Sequence, residues 1–286
     1  MSVDKPFDRQ LRRLRRDRAA GAGPAGQYLH HLAADELLER LSWVTRDFKQ
    51  ALNLGSGDEY LASGLKARGI EVMSADPGRL FARASGIQCD EDRLPFADGV
   101  FDLVTSVGTL DSVNDLPGAL MLIRRVLRPD GLFLAAFVGA GSLPRLRSAM
   151  LAADSVDGAA ASPRIHPQID VRAAGDLLLR AGFALPVADA TTLSVRFSSL
   201  MALVSDLRGM AGTNILVSRS RQPIGRAGLA AAIAHFASAA DPDGKTAETF
   251  EILYLIGWAP SPDQPQPATR GSATHSLSSA LRPPPR

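Results

Sequence analysis

Cysteine is almost absent from this sequence. The single Cys89 excludes an internal disulfide, and without a CxxC pair or a tight His/Cys set there is no pattern for structural zinc. A reducing compartment fits that usage. Long apolar runs are also missing: LFLAAFVGAG from Leu132 and EILYLIGWA from Glu251 fall well short of the roughly 20 residues that cross a bilayer. No transmembrane segment is expected. The arginines near the start are not followed by an apolar stretch, which argues against a secretory leader. Charge of one sign is lacking as well: 32 Lys and Arg stand against 30 Asp and Glu, and a net +2 gives the body no pull on a polyanion such as DNA. The expectation is a soluble, cytoplasmic protein. Apolar residues are plentiful, 45% of 286, enough to bury a large core in one domain of about 200–250 residues with extensions.

The stretch around which the chain is organised is Ala51 to Leu65, ALNLGSGDEYLASGL. A short apolar run ends in Gly55-Ser56-Gly57 and passes into residues that suit a helix, the strand, glycine turn and helix start that cradles a nucleotide-like ligand. Alone, the same pattern is also ordinary turn chemistry.

Before it, residues 4–18 carry Phe7, Leu11 and Leu14 on one side of a helix and Arg9, Arg12, Arg13 and Arg16 on the other. Two readings are open: a terminal helix with its apolar stripe on the domain and its arginines in water, or a dock for an acidic protein, an anionic lipid surface or RNA. A second amphipathic helix spans about Tyr28 to Trp43, with His30 and His31 read as surface or capping residues. From Lys49 the pattern alternates: strands at ALNLG, EVMSAD, GIQCD, VFDLVTSV and GLFLAAFV, with helices between them and Asn114 or Asp115 placed to cap LPGALMLIRRVL. That predicts a parallel sheet with both faces covered and its ligand-binding loops along one edge. Farther on, FALPVADATTLSVRF reads as a strand, residues 198–244 as two helices, and TFEILYLIGWA as a last strand buried on both faces. The segment from Pro260, His275 included, is too poor in large apolar residues to fold alone and is expected to be disordered. The division is therefore a helical extension at 1–46, a domain at 47–259 with an insertion at about 198–244, and a tail at 260–286.

Two acids stand in register with the turn. Asp76 ends the second strand about twenty residues after Gly55, where a carboxylate accepts from both ribose hydroxyls of an adenosine ligand. Asp90 ends the third strand, where it accepts from an adenine amino group. Either one alone also reads as a helix N-cap.

The strings LNLGSG, SADPGRL, CDEDRLPFADGVFDLV and RRVLRPDGLFLAAF resemble the ordered motifs of class I S-adenosylmethionine-dependent methyltransferases of the "type 11" group, over roughly residues 47–140. SPRIHPQIDVRAAGDLLLRAGFALPVAD, VSDLRGMAGTN and FEILYLIGWAP are similar to a narrower branch, that of the malonyl-carrier-protein O-methyltransferases and the methyltransferase-fold respiratory complex I assembly factors, at least one of which hydroxylates an arginine. The resemblance implies a Rossmann-like α/β fold, a seven-stranded sheet whose last strand is antiparallel, with a helical lid. It implies S-adenosyl-L-methionine as cofactor, with Gly55 and Gly57 against its methionine half, Asp76 at the ribose, Asp90 at the adenine and Leu94 flanking the purine. The acceptor it implies is a carboxylate or a group borne by a protein or carrier, with an acyl carrier protein or a respiratory-complex subunit as partner. The alternatives are a catalytically weakened assembly factor and an arginine hydroxylase, although no two-His-one-carboxylate metal set falls at the motif positions.

The sequence departs from the pattern at three places. Asn53 stands where an acid commonly precedes the turn, and Glu59 where a third glycine is expected, adding an anion beside the site of the cofactor carboxylate. Asp111-Ser112 replaces a His-Trp pair, removing an aromatic wall and adding a carboxylate. Candidate acceptor-side bases are Asp111, His166 and Tyr254, and Arg172, Arg208 and Asn214 are candidates for lining an anionic pocket or for holding the lid.

Overall fold

The computed structural model describes residues 5–23, 26–55, 57–83, 86–156, 162–265 and 271–272. Two helices, α1 (Arg9–Ala22) and α2 (Tyr28–Ser42), precede an alternation of strands and helices: β1 (Gln50–Leu54), α3 (Tyr60–Lys66), β2 (Glu71–Asp76), α4 (Arg79–Arg83), β3 (Gly86–Gln88), β4 (Phe101–Val107), α5 (Leu116–Val126) and β5 (Leu127–Val138). There follow α6 (Pro144–Val156), α7 (Val171–Arg180), β6 (Ala184–Phe197), α8 (Leu200–Gly209), α9 (Arg226–Ala237) and β7 (Thr246–Trp258). The seven strands form one sheet in the order β3-β2-β1-β4-β5-β7-β6. β1 to β5 pair in parallel, and β7 runs antiparallel to both β5 and β6. The expected α/β architecture with an antiparallel last strand is present.

Strand order reverses between β1 and β4, so the loops after those two strands open a crevice at the carboxyl edge of the sheet. The alternation of side chains along a strand builds a core on each face. In β5, Leu132, Leu134 and Ala136 join α2, α3, α6 and α8 on one side, while Phe133, Ala135 and Phe137 meet α5 and α7 on the other. β7 does the same with Ile252 and Tyr254 against Leu253 and Leu255, as its uniformly apolar sequence predicts.

The capping signals divide in an informative way. Asp115 caps α5 by accepting from the Gly118 N–H at 2.8 Å. Asn114 instead ties down the start of the chain, accepting from the Phe7 N–H at 2.8 Å and donating to the Phe7 carbonyl at 3.0 Å. That tether, with the Phe7–Leu216 bridge, seats α1 across the crevice in an orientation opposite to the apolar-inward reading. Phe7 and Leu11 reach a small cluster with Ile215 and Leu216, but Leu14 is 45% exposed while Arg12 and Arg16 are each 5% exposed. Arg12 and Arg16 turn inward with Phe7, while Leu14 faces out. At the other end, Gln264 donates to Asp130 at 2.8 Å and to the Ala259 carbonyl at 2.9 Å, so the segment after Pro260 folds back onto β5. Most of the predicted tail, including His275, lies outside the described residues.

Candidate active site

The turn after β1 has the backbone that its glycines foretell. Gly55 has φ +77° and Gly57 φ +57°, both in the left-handed region that costs glycine least. Their reasons differ. A Cβ on Gly55 would lie 2.3 Å from the Thr109 side chain, whereas Gly57 has open space before it. Gly55→Ala is therefore expected to lower stability by roughly 2 kcal/mol or more, from forbidden φ and overlap together, as thermal denaturation would register. Glu59 is also left-handed, φ +67°, where a third glycine would be unstrained, and its carboxylate lies 3.5 Å from Lys66 on α3.

Both strand-end acids are buried at the crevice. Asp76 is fully buried and accepts the Gly78 N–H at 2.7 Å, with the Gly57 N–H at 3.4 Å. Asp90 is 3% exposed, and its Oδ1 is buried with no hydrogen-bond partner. Across the sheet, the Asn53 amide nitrogen is likewise buried and unpaired. Leu94 is buried in the loop that follows Asp90. The arginines of α1 lie on these acids. Arg16 forks onto Asp76, Nε to Oδ1 at 2.8 Å and Nη2 to Oδ2 at 2.5 Å; Arg13 meets Asp90 Oδ2 at 2.6 Å; Arg9 pairs with Asp92. Arg12 forks onto the fully buried Glu91 at 2.6 and 2.8 Å, and its remaining donors bind the Thr109 carbonyl and the Ser112 hydroxyl. Burial alone would lower the Arg12 pKa, but Glu91 more than offsets it and the value is raised.

Beside the turn lies a cavity of about 210 Å³ with mostly apolar walls, among them Leu29, Val107, Phe137, Leu146, Met150 and Ile252. It shares Arg16, His30, Val107 and Met210 with the small pocket over Gly55 and Gly57, so the two spaces adjoin. Asp111 and His166 both line it, the first on the turn after β4 and the second on the loop before α7. Burial raises the Asp111 pKa against the pull of His166 and Arg12, and Asp111 Oδ1 has no hydrogen-bond partner. Burial lowers the pKa of His166 against the pull of Asp111, and its Nε2 accepts from the Ile215 N–H at 3.1 Å. Its ring also bonds the Thr213 backbone, so His166 positions the 213–215 wall and Asp111 is the uncommitted member of the pair.

The other candidates separate from this centre. Tyr254 is not on the cavity wall: its ring lies under the Arg40 guanidinium, 4.4 Å from the centroid, and burial pushes its hydroxyl up to about 12. Asn214 lines the cavity but donates to the Pro163 carbonyl at 2.8 Å, and Arg172 and Arg208 are not on its wall. Sequence reasoning passed over His30. Its Nδ1 lies 2.6 Å from the Gln27 amide oxygen and its Nε2 backs onto Gly108, where a Cβ would come within 2.2 Å. Burial, then the Arg16 charge, depresses its pKa to about 4. The signal was Gly108 at φ +66°, a glycine placed to admit another group. Among the described residues no cluster of three His, Cys, Asp or Glu side chains is arranged to hold a metal, and no helix is long and apolar enough to cross a membrane.

The family model of the Methyltransferase domain matches residues 52–135, the span that holds the turn and both acids. The chain is 33% identical to the Danio rerio protein "Arginine-hydroxylase NDUFAF5, mitochondrial" over 95% of this chain and 88% of that one. It is 31% identical to the malonyl-[acyl-carrier protein] O-methyltransferase of Laribacter hongkongensis, over 86% and 87%. The chain belongs to the class I S-adenosylmethionine-dependent methyltransferases, in the branch of these relatives. The fold agrees: a putative methyltransferase from Bacillus halodurans superposes with a TM-score of 0.53 at 15% identity, over 79% of this chain and all of that one. The YcgJ protein of Bacillus subtilis gives 0.55 at 16%, over 81% and all.

As in other enzymes of this family, S-adenosylmethionine is the cofactor, and the donor set fits it. Gly57 has open space before it, Asp90 Oδ1 is a buried acceptor without a donor, and both Asp76 oxygens are held by Arg16.

Proposed function

We propose that this methyltransferase modifies a nitrogen or oxygen nucleophile that must lose a proton, carried on an apolar body. The observation that carries the proposal is Asp111, a buried carboxylate of raised pKa on the wall of an apolar cavity adjoining the glycine turn. In this reading Gly55, Gly57, Asp76, Asp90 and Leu94 hold the cofactor, which supplies an electrophilic methyl group. The cavity walls exclude water and aim the acceptor, and Asp111 takes its proton. A carboxylate acceptor would need no base and would face another carboxylate. The three arginines on the cavity wall are already paired, Arg12 with Glu91, Arg16 with Asp76 and Arg164 with Asp154. The acceptor group can be borne by a carrier or a protein; an acyl carrier protein is the acceptor named for the malonyl relatives, and a respiratory-complex subunit is the partner implied by the assembly factors. The cytoplasmic setting belongs to the same proposal.

The test is methyl transfer from labelled S-adenosylmethionine to a panel of amines, guanidines, phenols and carboxylic acids, free and carrier-bound. Label on nitrogen or phenolic oxygen is the expected result; label confined to carboxylic acids would overturn the proposal. A second reading, a methyltransferase fold serving assembly with little catalysis, is favoured by the arginines on Asp76 and Asp90. It predicts folded protein that labels nothing. Glu59 bears on the choice: Glu59→Gly is expected to leave S-adenosylhomocysteine affinity within about threefold by titration calorimetry, because the carboxylate lies beside Lys66.

A further inference from the structure

The acids that an adenosyl group needs already have a ligand in this chain. Arg9, Arg12, Arg13 and Arg16 follow the i, i+3, i+4, i+7 spacing of one helix face, and they meet Asp92, Glu91, Asp90 and Asp76 in turn. The pairing is built into the fold. Arg16 lies over the Phe81 ring at 5.2 Å, its Cβ would be 2.8 Å from a Cβ on Gly78, and Asp17 accepts the Leu80 N–H at 2.8 Å. Two planar groups joined at both oxygens make a specific contact, and it uses the two oxygens that a ribose diol requires.

We infer that the ledge formed by Asp76, Asp90, Glu91 and Asp92 is a guanidinium-binding surface as well as an adenosine-binding one, and that α1 is its intramolecular ligand. The cofactor and the arginine face of α1 then exclude each other. Entry of the adenosyl group requires Arg16 to leave Asp76. The helix is equipped to yield at one end: its start is fastened through Phe7 to Asn114 and Leu216, while its last turn runs into Gly23 at φ +81°. The inference rests on S-adenosylmethionine being the cofactor.

The experiment has two parts, both on the full chain. Calorimetry compares S-adenosylhomocysteine binding by the wild type and by Arg16→Gln, which keeps a polar side chain beside Asp76 but cannot fork; affinity is expected to rise by ~10-fold or more. Hydrogen exchange of the wild type then follows the α1 amides with and without the ligand, so the conclusion does not depend on the variant folding. Faster exchange in α1 on binding is expected. Unchanged or weaker affinity in Arg16→Gln, or protection of α1 by the ligand, would overturn the competition and leave the methyltransferase assignment intact. Folded wild type and variant that both fail to bind would overturn the cofactor assignment, and the competition with it.

Discussion

Asp111→Asn is expected to lower methyl transfer by about 10²-fold or more, the usual contribution of a positioned general base, while raising the melting temperature. The two effects share one cause. Burial raises the Asp111 pKa, so the folded protein favours the protonated acid, and the stability that this group confers is present below its unfolded pKa. That stability is lost as pH rises through the folded value, so above that value the ionised Asp111 is a cost. Asparagine removes the charge and with it both the cost and the base. Asn also keeps the shape, so S-adenosylhomocysteine affinity should hold within about twofold. The wild-type rate should rise with pH as Asp111 loses its proton, at a pH above the ordinary carboxylate range, and that limb should vanish in the variant. Equal rates for the two proteins, or a lower melting temperature in Asp111→Asn, would count against this role. The His166 pKa is lowered by burial, so its contribution has the opposite dependence: stability falls as pH drops below the ordinary histidine value toward the folded one.

Glu91→Ala is expected to destabilise the fold by about 3–5 kcal/mol, and to lower the melting temperature by on the order of 10 °C. Glu91 is fully buried and bound at both oxygens by Arg12, itself only 5% exposed. Removing the acid strands a guanidinium away from water, and that penalty exceeds the intrinsic value of the pair. The damage should reach the cavity, because Arg12 also donates to the Thr109 carbonyl and to Ser112 on the turn that carries Asp111. Replacing both partners, Arg12→Met with Glu91→Leu, should recover much of the loss, since no uncompensated charge remains. Calorimetric melting of the single and double variants gives the coupling. A double variant no more stable than Glu91→Ala would show that the pair is needed for more than charge balance.

The strand-end acids were legible because each follows an apolar run and a turn, and both signals are local. Asp76 closes β2 as that pattern puts it, whereas β3 ends at Gln88 and Asp90 lies in the loop just beyond it. Asp111 was legible as an added charge after β4, but the lack of a partner for its Oδ1 was not, since that depends on Arg12 turning its donors to Glu91, Thr109 and Ser112. Tyr254 entered as a candidate base because the sequence does not give the face of a buried strand that a residue occupies, and register with β5 and β6 set it under Arg40. His30 was read as a surface or capping residue because its neighbour across the crevice, Gly108, is far away in sequence.

By itself the sequence determined the alternation that builds the sheet, a last strand buried on both faces, the glycine turn and the two acids that follow it. These follow from periodicity and backbone freedom, which act over a few residues. It also determined that four arginines share one face of α1. Only the tertiary structure decided which face turns inward. The apolar stripe of Phe7, Leu11 and Leu14 is short, whereas the crevice offers a row of carboxylates whose burial requires cations, and three of the four pairings are fork-to-fork. The stretch from Ala51 to Leu65 announced a ligand site, and the packing of α1 placed a competing ligand upon it.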